Sequence, residues 1–320
     1  MKILITGATG LIGSYIAKRF IGFGEIYALR RKTAKEPLLD DSNIIWKEGN
    51  INDYQSLESA FEGMDVIIHV AGLVSYEKKD SKELMKVNLE GTINVVNVML
   101  QLNIKKLIHV SSVAALGRTP DINLIDENHK WATSDLNTPY AISKYLGELE
   151  VWRAAQEGLD VIVVYPSVAL GKISDQRSST AIYNYVLEEK PYYPSGMINY
   201  IDVRDIAEII AQLFEKQVWG SRYILNADTI PYKEFFEEIA LAFDKKAPYK
   251  PISPSTLRLF LAFSWVAYSF GLSKIPLNPI TAQLAQLPHK MSNKKIKNEL
   301  NFEFRPLSET LNWAKVNEKT

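Results

Sequence analysis

The chain has 320 residues, 47% of them hydrophobic and 23% charged, which suffices for a large packed core and excludes a disordered chain. Its 37 basic and 37 acidic residues cancel, so no global field draws it to nucleic acid or to an acidic membrane surface. Without a cysteine it has neither a disulfide framework nor a thiolate metal site.

The first fifteen residues organise the rest. Lys2-Ile3-Leu4-Ile5 reads as a strand, and Thr6-Gly7-Ala8-Thr9-Gly10-Leu11-Ile12-Gly13 follows it directly as a Gly-x-x-Gly-x-x-Gly turn into a helix that runs to about Phe20. One glycine lets the chain reverse, one lets backbone approach a pyrophosphate, and one lets the helix lie against its strand. The helix N-terminus would then present free N–H groups and its positive dipole end to the phosphates. A strand at the start leaves no room for a cleaved signal peptide, and the expected setting is cytoplasmic.

Glu25 to Leu29 reads as a second strand and ends at Arg30, the position that faces the adenine ribose in a dinucleotide fold. An arginine there accommodates a 2′-phosphate, so NADP is expected, with NAD possible. Ile44 to Lys47 is a third strand. It leads to Asn50 and Ile51, where an adenine would rest, and to the helix Tyr54 to Phe61. Val66 to Val70, apolar as a doubly covered strand should be, runs into the small pair Ala71-Gly72 beside a cofactor ribose.

A long helix is expected from Leu84 to Leu102, carrying Asn88, before a fifth strand, Leu107 to Val110, that stops at Ser111-Ser112. Thr138 as cap and Pro139 at the first helical position open the helix Tyr140 to Ala155. Val161 to Tyr165 is a sixth strand ending at Pro166. Strand and helix alternate at spacings of roughly 20 to 30 residues, which predicts an α/β fold with a parallel, doubly wound sheet.

After Gly171 the rhythm changes. Expected helices are Ile182 to Glu188, Val203 to Glu215, Lys233 to Phe243, Ser255 to Phe270, Pro279 to Leu287, Asn293 to Leu300 and Ser308 to Val316; Tyr200-Ile201 and Arg222 to Leu225 are strands. The apolar stretch Leu257 to Leu272 falls short of the roughly 20 residues that span a bilayer, so no membrane span is expected. The four histidines are scattered, with no pair at ligand spacing, and no metal site is expected. Lys172, Arg177, Arg204 and Arg258 are candidates for clamping a diphosphate, and Arg204 equally for stapling two regions together. Tyr183, Tyr185, Tyr192, Tyr193, Phe260, Phe263, Trp265 and Tyr268 suit a packed core or an apolar, ring-shaped substrate.

Tyr140 and Lys144 stand at i and i+4, on one helix face. An ammonium beside a phenol, helped by an oxidised nicotinamide, favours phenolate and lowers a pKa otherwise near ~10. Tyr140 could then exchange a proton with an alcohol or carbonyl while hydride moves to or from a nicotinamide, with Ser112 bonded to the same oxygen. Asn88 is a candidate holder of a relay water.

Thr6-Gly7-x-x-Gly10-x-x-Gly13, Val87-Asn88, Ser111-Ser112, Tyr140-Ala141-Ile142-Ser143-Lys144 and Val203-Arg204-Asp205-Ile206-Ala207 together resemble the extended short-chain dehydrogenase/reductase superfamily over essentially the full length, above all its dihydroflavonol-reductase-like members and the related sugar-nucleotide epimerase/dehydratases. The resemblance implies a Rossmann-type dinucleotide-binding domain of residues 1–170 and 199–228, and a smaller, mostly helical C-terminal substrate domain of residues 171–198 and 229–320. It implies catalysis by Ser112, Tyr140, Lys144 and Asn88. The coenzyme would rest on Thr6, Gly7, Thr9, Gly10, Leu11, Ile12, Gly13, Arg30, Asn50, Ile51, Ala71, Gly72, Tyr140, Lys144 and Pro166.

The chain departs from the family at Asn50, where epimerases have Asp, at Val113-Ala114, where dehydratases have Asp-Glu, and at Leu116, where many epimerases have an aromatic. The expected activity is NADP(H)-dependent interconversion of a secondary alcohol and a carbonyl on a small molecule, by a monomer or homodimer. The alternative is a nucleotide-sugar epimerase with tightly bound NAD(P).

Overall fold

The computed structural model describes residues 1–34, 36–38, 41–175, 180–253, 256–257 and 279–316. Most of the expected helix Ser255 to Phe270 lies outside the described residues, as do Arg177, Arg258, Phe260, Phe263, Trp265 and Tyr268. Strands in chain order are β1 Lys2–Thr6, β2 Glu25–Arg30, β3 Ile44–Glu48, β4 Val66–His69, β5 Lys106–Val110, β6 Asp160–Pro166, β7 Val168–Leu170, β8 Met197–Asp202, β9 Ser221–Leu225 and β10 Asp228–Pro231. The helices are α1 Leu11–Phe20, α2 Tyr54–Phe61, α3 over residues 81–101, α4 Pro139–Gln156, α5 Thr180–Leu187, α6 Val203–Lys216, α7 Tyr232–Phe243, α8 Pro279–Leu284, α9 Lys294–Leu300 and α10 Leu307–Ala314.

Seven strands form one wholly parallel sheet in the order β9-β6-β5-β4-β1-β2-β3. Chain order reverses between β1 and β4, and their carboxyl ends are where such a sheet places a ligand. Alternate residues feed two cores. Ile3, Ile5, Val66, Ile68, Ile108, Val110, Ile162 and Val164 pack under α1 and α6. Leu4, Ile67, Leu107, Val161, Val163 and Tyr165 pack under α2, α3 and α4 on the other face. Both faces are dry, so the strands read as continuous apolar runs.

A third core joins α5, α7 and α10 with β8 through Tyr183, Val186, Ile198, Tyr200, Phe235, Ile239 and Leu311. Tyr200-Ile201 extends to a six-residue strand, β8, which pairs in parallel with β7 and antiparallel with β10. Those two partners are strands of three and four residues, too short to leave a periodic signature.

The helix expected from Leu84 is an interrupted one, α-helical over Ser81–Leu84, π-helical over Met85–Glu90 and α-helical again over Gly91–Gln101. Close packing accompanies the wide turn. A Cβ on Gly147 of α4 would lie 2.3 Å from the Asn88 carbonyl oxygen, and one on Gly91 would lie 2.7 Å from Ile51 Cδ1. Single π turns of this kind gather at functional sites, and this one carries Asn88.

Candidate active site

The glycine turn is built as its spacing predicts. Gly7 adopts φ +72°, and a Cβ there would press within 2.6 Å of the Ala71 backbone nitrogen at the end of β4. A Cβ on Gly13 would lie 2.2 Å from the Gly7 carbonyl oxygen, so only glycine lets α1 seat on the turn. Gly10 caps α1 with no side-chain acceptor, and the first turn carries no acidic residue. The helix therefore offers its opening N–H groups and positive dipole end at the sheet's switch point, as a pyrophosphate requires. These residues fit a dinucleotide.

Leu11 is buried and Ile12 partly so, both in the first turn of α1; Thr9 is partly exposed in the loop. Thr6 is held elsewhere: its buried Oγ1 pairs with His69 Nδ1 at 2.8 Å and accepts from the Val70 and Ala71 amides at 3.2 Å. That hydroxyl fastens β1 to the end of β4, so Thr6 shapes the cradle from behind.

At the far end of the sheet Arg30 is exposed, its guanidinium 5.5 Å above the Trp46 ring. Asn50 is fixed by Ser56, whose Oγ accepts its N–H at 3.0 Å, and Ile51 is buried under Asn94, which donates to the Ile51 carbonyl at 2.9 Å. Pro166 closes β6 beside Leu225 of β9. Arg30, Asn50 and Ile51 thus cluster at the carboxyl ends of β2 and β3, apart from the catalytic group.

Thr138 caps α4, accepting from the Ala141 amide at 3.1 Å, and Pro139 occupies the first turn, so Tyr140 and Lys144 start a face that continues through Gly147, Glu148 and Val151 into the core. Lys144 Nζ donates to the Val110 carbonyl at 3.0 Å, which brings the ammonium to the end of β5. A Cβ on Gly72 would stand 3.2 Å from Asn88 Oδ1 and 3.7 Å from Lys144 Nζ. Ser112 Oγ accepts from the Ala114 amide at 3.2 Å at the end of β5 and acts on the Tyr140 phenol, and the Tyr76 ring meets Tyr140 edge-on with centroids 5.9 Å apart. Gly72, Asn88, Ser112, Tyr140 and Lys144 therefore converge.

Asn88 spends both of its amide hydrogens. Its Oδ1 accepts from the Leu73 amide at 2.7 Å, while Nδ2 donates to the Leu73 carbonyl and to Ser143 Oγ, both at 2.9 Å. Both amide hydrogens are spent, so its geometry ties the loop after β4 to α4 and leaves no N–H for a relay water.

Burial sets the electrostatics. Desolvation brings the Lys144 ammonium down to a pKa of about 8, against an opposing pull from Glu148 one turn along α4. Desolvation also pushes the Tyr140 phenol well above its ordinary value; Tyr76 adds to the rise, and the bond from Ser112 opposes it. The expected lowering of Tyr140 by Lys144 is not found in this state of the protein. The ammonium is turned to the Val110 carbonyl, and dehydration is the largest influence on the phenol. Behind the lysine, Glu148 is held by Ser111 Oγ at 2.9 Å, Trp152 Nε1 at 3.0 Å and the Tyr165 hydroxyl at 2.5 Å. Its i+4 spacing from Lys144 is legible in the sequence once Lys144 is singled out.

His69 and His109, with rings 5.3 Å apart, lie beneath the site and are held neutral by burial, His69 down to a pKa of about 3. Of the basic residues considered for a diphosphate, Arg204 bonds Asp202 at 2.6 Å and covers the Trp313 ring at 4.1 Å, and so fastens α10 to α6. Thr310 Oγ1 donates to the same carboxylate at 2.8 Å. Lys172 is buried with its Nζ 5.5 Å from the same indole.

A glycine cradle at the switch point of a parallel sheet, with a half-buried serine and a buried tyrosine and lysine beside it, defines an NAD(P)-dependent oxidoreductase with a Rossmann-like fold. The profile of the NAD dependent epimerase/dehydratase family matches residues 3–226, and the chain belongs to that family. It is 30% identical over 269 residues to a dihydroflavonol 4-reductase-like protein of Synechocystis sp., covering 82% of this chain and 77% of the relative. Cinnamoyl-CoA reductase 1 of Oryza sativa is 27% identical over 335 residues, covering 98% of this chain and 88% of the relative. The crystal structure of gox2253 superposes with a TM-score of 0.83 at 29% identity, over 98% of this chain and 96% of that one. Among the described residues no helix is long and apolar enough to cross a membrane.

Proposed function

We propose that this protein is an NADP(H)-dependent reductase that interconverts a carbonyl and a secondary alcohol on a small organic substrate, working in the cytoplasm as a monomer or homodimer. The observation that carries the reading is the convergence of Ser112, Tyr140 and Lys144 beside Gly72, at the edge of the glycine cradle. The region of α5, α7 and α10, with its separate core, serves as the substrate domain. Arg30, exposed where an acidic residue would select NAD, takes the 2′-phosphate.

A bound nicotinamide supplies hydride when reduced and accepts it when oxidised. Tyr140, kept protonated by its buried setting, gives its proton to the carbonyl oxygen as that oxygen gains charge. Ser112 donates a hydrogen bond to the same oxygen. The Lys144 ammonium, anchored on Val110, keeps a positive charge near the phenol while its proton leaves. Asn88 holds the loop after β4 in place through Leu73 and Ser143.

Purified protein with NADPH and a panel of aldehydes and ketones tests the reading by loss of absorbance. Stoichiometric oxidation of NADPH is expected. Interconversion of nucleotide sugars with no net consumption would replace it with the epimerase reading that the family name admits.

A further inference from the structure

The loop that leaves β5 carries an arginine that neither the catalytic group nor the cradle uses. Gly117 turns at φ +74°, and a Cβ there would meet the Trp131 ring at 3.0 Å, so the chain can bend only one way before Arg118. The Arg118 backbone N–H is then held by Asn137 Oδ1 at 3.1 Å, and Asn137 is buried and braced on the Ala132 carbonyl at 2.8 Å. A pinned backbone aims the side chain inward, where Nε is shut off from solvent with no hydrogen-bond partner among the described residues.

Four other arginines among the described residues hold carboxylates. Arg19 holds Glu208, Arg153 holds Glu150 and Glu157, Arg204 holds Asp202, and Arg305 holds Asp205. The charge of Arg118 is felt instead by two phenols, Tyr76 and Tyr232, and by His289. Burial raises both phenols above their ordinary value, so they stay neutral and can donate. A guanidinium keeps its charge at any working pH, and a desolvated charge is costly until an anion meets it. The Tyr76 ring is also the one that meets Tyr140 edge-on, so a phenol that feels this cation borders the acid.

We propose that Arg118 is the specificity residue for an anionic substrate: a carbonyl compound bearing a carboxylate, which seats on the guanidinium between the hydroxyls of Tyr76 and Tyr232 while the carbonyl reaches Tyr140. This rests on Tyr140 being the acid of a reductase. A single guanidinium suits a carboxylate, whereas a diphosphate calls on a second cation, and one candidate, Arg204, is already held by Asp202 and Trp313. The planar fork of arginine matches two carboxylate oxygens.

The test uses a matched pair, 4-formylbenzoate and its methyl ester, followed by NADPH absorbance, together with calorimetry of benzoate on the enzyme saturated with NADP. The wild type should prefer the acid and bind benzoate. In R118M the preference for acid over ester should fall on the order of 10- to 100-fold, mostly in KM, and benzoate affinity should fall at least as far. R118K, which keeps charge but loses the fork, should show a smaller loss of the same preference and guards against misfolding of R118M. Equal preference in wild type and variants, or benzoate that binds them alike or not at all, overturns the proposal. If neither aldehyde oxidises NADPH, the reductase reading fails, while the calorimetry still decides whether Arg118 holds a carboxylate.

Discussion

The glycine cradle and the proposed substrate mouth lie side by side and are made by opposite means. The cradle is backbone: Gly7, Gly10 and Gly13 act through a missing carbon and come from one run of seven residues, 7–13. The mouth is side chain: Tyr76 follows β4, Ser112 and Arg118 follow β5, Tyr140 opens α4 and Tyr232 opens α7. A backbone site should tolerate most changes around it but not an added carbon. A side-chain site should survive changes of volume and fail on the loss of a single polar atom.

The largest effect should come from Tyr140→Phe, which removes one oxygen from the mouth. Turnover should fall about 10²- to 10⁴-fold, as for loss of a general acid, while NADPH binding, followed by fluorescence, persists. Retained turnover would remove the assigned acid, and lost binding would mean that cradle and mouth are not separable.

Gly13→Val tries the other side. Its first added carbon would lie 2.2 Å from a backbone oxygen, so the turn must open. The fold should lose about 1–3 kcal/mol in thermal melts, and NADPH affinity should drop well before substrate discrimination changes. A variant that binds NADPH like the wild type would show that α1 has another way to seat.

Lys144 belongs to both halves, and pH separates its roles. Its pKa of about 8 lies below the ordinary lysine value of 10.5, so between those values the unfolded chain holds a proton that the folded chain has lost. Stability from this group therefore rises with pH across that window, and its charged, buried form is unfavourable below it. In urea melts the wild type should gain on Lys144→Met between pH 7.5 and 9.5. Reduction should weaken over the same interval as the ammonium is lost. A flat stability difference would mean that Lys144 is better hydrated than its contacts indicate.

The smallest effect is expected at the rim of the cradle, where Arg30 is exposed. Arg30→Asp should shift preference from NADPH to NADH by about tenfold, since exposed charge contacts are each worth roughly 1 kcal/mol. Equal affinity of the wild type for both coenzymes would dismiss Arg30 as the selector.

Local pattern carried a good part of the molecule. The central parallel strands β1, β4, β5 and β6 announced themselves because a strand covered on both faces has to be apolar almost without interruption, and the glycine spacing and the i, i+4 pair Tyr140 and Lys144 are local too. Arg204 and Arg118 show where that legibility stops. Both are single arginines with nothing nearby to set them apart, yet one is consumed by Asp202 and Trp313 and the other is aimed inward by Gly117 and Asn137. The short strands β7 and β10 were equally silent, since three or four residues hold too little period to read.

The amino-acid order alone therefore determined the sheet, the turn that suits a dinucleotide, and the helix face that bears the phenol and the ammonium, because each depends on neighbours a few residues away. The tertiary structure alone decided that Asn88 spends both amide hydrogens, that the Lys144 ammonium turns to the Val110 carbonyl, and that Arg118 holds a buried Nε without a partner among the described residues. Dehydration and partner choice depend on what segments tens of residues apart bring to the same place, and no local spacing records that.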